Sequence, residues 1–93
     1  MSDSALHLMI HGHVQGVGYR AWLAAHAKNR RMRGWVRNRR DGAVEVVLIG
    51  DMVELEILHA DCLHGPSAAK VERIDVKPWT GELPDDFEQK PTV

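Results

Sequence analysis

Along residues 5–12, "ALHLMIHG", Leu6, Leu8 and Ile10 alternate with His7, Met9 and His11. A period of two marks a strand with one face in a core, so this segment is predicted as the first strand. From Arg20 to about Arg31 the pattern changes. "RAWLAAHAKNRR" is rich in alanine and sets Leu23 and Ala27 four apart, as a helix with a narrow apolar face would. "RGWVRN" (33–38) and "AVEVVLIG" (43–50) are rich in strand formers, and the Asp41-Gly42 pair between them signals a tight antiparallel hairpin. A second helix is predicted after Gly50. Asp51 stands as its N-cap with Glu54 three residues on, Leu55, Leu58 and Cys62 share one face, and Gly65-Pro66 supplies the stop. "AKVERIDVKPW" (69–79) reads as a fourth strand, and "FEQKP" (87–91) as a short last one that Pro91 confines to an edge or an end. The order βαββαβ specifies an α+β, ferredoxin-like sandwich with two helices on one face of an antiparallel sheet.

Composition narrows the class. A chain of 93 residues, 44% hydrophobic and 27% charged, has room for one core, so residues 1–93 are expected to form a single domain. No apolar run approaches the ~20 residues of a membrane span, and "MSDSALHLMIHG" lacks the basic start and long apolar stretch of a signal peptide. A cytoplasmic protein is expected. The lone Cys62 cannot form an internal disulfide, and no CxxC suggests structural zinc. The net charge of −1 hides an asymmetry: residues 1–40 carry +7 and residues 41–93 carry −8. Seven of the cations lie in "KNRRMRGWVRNRR", so the first half is expected to attract an anion, either a nucleic acid or a small phosphate. The plainer alternative is that Lys28, Arg30, Arg31, Arg39 and Arg40 solvate a helix end and a turn.

The stretch between the first strand and the first helix, within "HGHVQGVGYR" (11–20), is where an anion would sit. Gly16 and Gly18 permit tight curvature next to a helix N-terminus, whose free NH groups and partial positive charge suit a phosphate. Arg20 adds a planar fork of donors matched to two phosphate oxygens. On these residues alone, a plain strand-to-helix turn with an exposed arginine remains open. Gly16, Gly18 and Ala21 also fit G-x-G-x-x-A formally, but a dinucleotide fold needs parallel strands joined by crossovers, and the Asp-Gly hairpin denies them. No G-K-[ST] is present to form a standard P-loop.

"GHVQGVGYR" followed by "GWVRNRRDGAVEV" resembles the paired signature of the acylphosphatase family. "GD" before the second helix, "HGP" after it and "KVERIDV" in the fourth strand are similar to that family's later elements. The resemblance covers nearly the whole chain. It implies a ferredoxin-like fold and hydrolysis of acyl phosphates to carboxylate and inorganic phosphate, with no metal and no other cofactor. It places the catalytic arginine on Arg20 and the catalytic asparagine on Asn38, with backbone NH groups of Gln15, Gly16, Val17, Gly18 and Tyr19 holding the phosphate. The residue types suit the reaction. A carboxylate leaves without needing a proton, so the demands are to hold the phosphoryl group, stabilise its charge and align water. The Asn38 amide can accept from water and donate to phosphate, but cannot act as a strong base. Two departures concern local structure: Arg30 and Arg31 stand near the helix end where the family often has glycine, and "FEQKPTV" is less strand-like than its counterpart.

Other features have plainer readings. His7, His11 and His13 could share a face of the first strand and invite a metal proposal, but no carboxylate or cysteine is spaced with them. His26, His59 and His64 are expected on helices facing solvent, Trp22, Trp35 and Trp79 as packing residues, Tyr19 chiefly as packing, and Cys62 as a small core residue. An RNA-recognition sandwich shares the element order but stacks bases on strand aromatics, and "LHLMIHG" and "AVEVVLIG" contain none, which argues against nucleic acid. A noncatalytic phosphate-binding module is the other rival, disfavoured because Arg20 and Asn38 are both present. The expected partners are a small acyl phosphate and competing phosphate or sulfate, with no membrane, and the expected state is a monomer.

Overall fold

The structure, a computed structural model, describes residues 3–93; Met1 and Ser2, the start of the expected 1–93 domain, lie outside the described residues. The elements follow in the order β1 (Ser4–His13), α1 (Tyr19–Asn29), β2 (Arg33–Asn38), β3 (Val44–Gly50), α2 (Met52–Cys62), β4 (Lys70–Pro78) and β5 (Phe87–Gln89). All five strands share one sheet in the order β4-β1-β3-β2-β5. The sheet is mixed: β1, β2, β3 and β4 pair antiparallel, but β5 runs parallel to β2 through Gly34, Trp35 and Val36. This corrects the expectation of a wholly antiparallel sheet. Two consecutive antiparallel strands need only a tight turn, whereas β5 arrives after a long connection from the far edge and is free to run either way.

Alternation assigns the two faces. Leu8 and Ile10 of β1, Val36 of β2 and Val44, Val46 and Leu48 of β3 form the main core with Leu23, Ala24 and Ala27 of α1 and Leu55, Leu58 and Cys62 of α2. The apolar helix positions predicted from spacing are therefore the buried ones. The opposite face is not simply open to water: Trp35, Val47 and Ile49 form a smaller cluster with Ala5 and Trp79. Two of the three tryptophans thus pack away from the helices, and Trp22 packs against the main core.

The helix ends depart from the expected ones in informative ways. Asp51 caps α2 by accepting from the Val53 NH at 3.0 Å, but Glu54 bonds Arg30 at 3.2 Å instead of closing a capping box. At the exit of α1, Arg31 takes the left-handed conformation (φ 58°) that glycine often fills. Its NH bonds the Lys28 carbonyl, and the Met32 NH reaches back to Ala27. That is a Schellman closure, with buried Met32 supplying the accompanying apolar contact.

Candidate functional site

The loop Val14–Gly18 leaves β1 at the end of the sheet where β2 also finishes. Gly16 (φ 72°) and Gly18 (φ 80°) are both left-handed, and a Cβ at either would meet open space. Glycine is required here by backbone conformation and not by crowding. Gly18 is the N-cap of α1 but offers no side-chain bond, and the first turn holds no acidic residue. The first intrahelical bond runs from Trp22 NH to the Gly18 carbonyl, so the NH groups of Tyr19, Arg20 and Ala21 have no partner within the helix. An uncapped helix start after a left-handed glycine is an anion receptor in waiting.

Asn38 comes to the same place because of β2's period. Trp35 and Arg37 point to the far face, so Val36 and Asn38 point to the helix face. A cavity of about 170 Å³ results, lined by the loop residues Val14, Gln15, Gly16 and Gly18, by Tyr19, Arg20 and Ala21 at the start of α1, by Asn38, and by Gln89 of β5. Arg20 is the only charged residue among them. Two residues far apart in the chain, both expected to be catalytic, therefore share one small, cationic, carboxylate-free recess.

Of the other loop positions, Val17 does not line the cavity; its side chain is partly buried against the core. Gln15 does more than contribute backbone. Its side-chain amide donates to the carbonyls of Arg39 (2.7 Å) and Ala43 (2.9 Å), tying the loop to the hairpin beside Asn38. The Asn38 carbonyl accepts from the Val93 NH at 3.1 Å, so the segment is held from a second side. Tyr19 is buried, and its hydroxyl donates to the Cys62 carbonyl at 2.7 Å, which fixes the start of α1 to the end of α2. Burial, followed by the neighbouring Cys62, pushes its phenol far above the ordinary range. Burial likewise raises the Cys62 thiol to about 12, and the residue behaves as a small core side chain.

Gln89 is the cavity residue that sequence reasoning missed. Its placement depends on β5 adding beside β2, and a three-residue strand with one apolar position, Phe87, is too short to carry a periodic signal. The histidines divide. His7 and His11 face the same way from β1 and line a larger hollow, about 620 Å³, on the opposite face of the sheet, whereas His13 lies beyond a bulge between His11 and Gly12. His7 is buried, stacked 5.8 Å from Trp79, and donates to Glu45 at 2.8 Å. No three His, Cys, Asp or Glu side chains converge among the described residues. Of the three histidines expected on helices and facing solvent, His26 of α1 is half-buried 4.5 Å from the Trp22 ring, His59 of α2 is half-buried, and His64, though exposed, lies in the turn beyond the end of α2.

The acylphosphatase family model matches residues 6–89. An acylphosphatase of Cupriavidus pinatubonensis is 49% identical over 87 residues, covering 94% of this chain and 96% of that protein. Among solved structures, an acylphosphatase from Coxiella burnetii superposes with a TM-score of 0.90 at 29% identity, covering 96% of this chain and 94% of that one. The Bacillus subtilis acylphosphatase gives 0.88 at 31% identity, with 92% and 97% covered. The chain belongs to the acylphosphatase family.

Proposed function

We propose that residues 1–93 act as one acylphosphatase domain that hydrolyses acyl phosphates to a carboxylate and inorganic phosphate without a metal ion. The observation that carries this reading is the cavity that joins the glycine loop, Arg20 and Asn38, with Arg20 as its one charge. The phosphoryl group sits on the NH groups of the 15–19 loop and helix start, and Arg20 grips two of its oxygens. Asn38 accepts a hydrogen bond from the attacking water and donates to a phosphoryl oxygen, aligning the two. As the P–O bond to the acyl oxygen breaks, its electron pair leaves on a carboxylate that is stable unprotonated. A cavity with no carboxylate, histidine, cysteine or lysine in its lining is matched to that leaving group. Phosphate and sulfate, which present the same oxygens, compete with substrate. The protein works as a monomer in the cytoplasm, and no helix of the described residues is long and apolar enough to cross a membrane.

The test is hydrolysis of benzoyl phosphate in excess chelator, followed by benzoate release. Turnover is expected to persist, with inorganic phosphate raising the apparent KM. Arg20→Lys keeps the charge but loses the two-pronged grip, and kcat/KM is expected to fall on the order of 100-fold or more. Near wild-type kinetics in a folded Arg20→Lys protein would remove Arg20 from the phosphate site.

A further inference from the structure

Asn38 sits between two arginines whose side chains pass to the far face of the sheet and end on one carboxylate. Glu45, paired with Arg37 across β2 and β3 and only 7% exposed, accepts at one oxygen from Arg37 Nε (2.8 Å) and Arg39 Nη1 (3.0 Å). Its other oxygen accepts from His7 Nε2 at 2.8 Å. The residues immediately before and after Asn38 are thus pulled to the same point on the side away from the cavity. On the cavity side, Gln15 holds the Arg39 carbonyl. A strand end would ordinarily fray; this one is clamped through the sheet.

We propose that Glu45 is a positioning residue for the hydrolysis: by anchoring Arg37 and Arg39 it fixes the intervening peptide, and with it the direction in which Asn38 presents its amide to water and phosphate. This rests on the water-orienting role of Asn38 proposed above. Glu45 touches neither substrate nor cavity and acts only through Asn38. Displacing a catalytic group by ~1 Å can cost about 100-fold in rate, so a loosened clamp is expected to reduce turnover while the loop and Arg20 still bind phosphate.

The experiment is a double-mutant cycle in benzoyl phosphate hydrolysis with the full chain, using Glu45→Gln, Asn38→Ala and the pair, alongside the inhibition constant of inorganic phosphate. Glu45→Gln alone is expected to lower kcat by about 10- to 100-fold with the phosphate constant within about twofold. In the Asn38→Ala background the same change is expected to cost less than about twofold, because the group it positions is gone. An equal loss in both backgrounds, an unchanged kcat, or phosphate binding that weakens in step with kcat would overturn the positioning role. If Asn38→Ala itself kept full kcat, the water-orienting reading would fall first, and the role of Glu45 with it. Should Glu45→Gln not fold, Arg39→Gln, which cuts one strut at a partly exposed side chain, replaces it. It is expected to lose at least about fivefold in kcat with Asn38 present and nothing further without it, and additive losses there count against the clamp.

Discussion

At the scale of single residues, the case for an amide at position 38 can be put against its nearest isostere. Asn38→Asp supplies a better base in almost the same shape. If removing a proton from water limited the reaction, this variant would match or exceed the native chain. The cavity argues otherwise, since Arg20 is its only charge and the ligand is an anion. A carboxylate about 4 Å from a phosphoryl oxygen costs about 4 kcal/mol per pair of charges at an effective dielectric of ~20, and the amide donor is lost as well. Asn38→Asp is therefore expected to lose at least about 100-fold in kcat/KM, measured after melting curves show a folded protein. A rate at or above wild type would make water activation base-driven. Tyr19 illustrates the converse case, a polar group beside the site that stays out of the chemistry, because its hydroxyl is committed to the Cys62 carbonyl.

At the scale of elements, the exit of α1 is a place where the chain accepts strain. Arg31 is the one non-glycine residue with positive φ among the described residues, and it is exposed. A side chain in that conformation costs roughly 1–2 kcal/mol, which glycine avoids. Arg31→Gly is expected to raise Tm by several degrees and to leave kcat unchanged, a comparison that calorimetry and the benzoyl phosphate assay make directly; a lowered Tm would mean that the Arg31 side chain stabilises the turn. The same element shows what could be read in advance. Period and turn chemistry are local, so β1, the β2–β3 hairpin and the buried stripe of Leu55, Leu58 and Cys62 were legible to within a residue or two. The glycine loop between β1 and α1 was legible for the same reason, whereas the pairing of Arg20 with Asn38 was expected only from the family resemblance. The parallel sense of β5, the Gln15 strut and the grouping of His7, Arg37 and Arg39 on Glu45 depend on how strands line up across the sheet. Those alignments follow from tertiary packing, which leaves no mark in any one segment.

At the scale of the whole molecule, the opposite charges of the two halves of the chain meet at a few points. Arg30 pairs with Glu54 and Asp61, and Arg37 and Arg39 pair with Glu45. Arg20, like Lys28, Arg31 and Arg40, has no ion-pair partner among the described residues, and of these four it alone lines the cavity beside the glycine loop. The two Arg30 pairs lie near the surface, where each is worth at most about 1 kcal/mol. The buried Glu45 cluster is different and should dominate the response to acid. Burial by itself would raise the Glu45 carboxyl, but hydrogen bonds from His7, Arg37 and Arg39 outweigh it and bring the group down from 4.5 to about 2. A carboxylate depressed by folding contributes its full stability above the unfolded value of 4.5 and loses it as pH falls toward about 2, because the unfolded chain takes up the proton first. The loss attributable to Glu45 over that window is at most about 3 kcal/mol, a large part of the stability of a domain this small. Carbon-13 titration of the Glu45 side chain in the folded protein, paired with urea unfolding at successive pH values, separates this group from the surface carboxylates. The expected midpoint is near 2, with unfolding free energy falling steadily below pH 4.5. A midpoint at the ordinary carboxylate value would mean that two arginines and a histidine on one carboxylate do no more than cancel the cost of burying it.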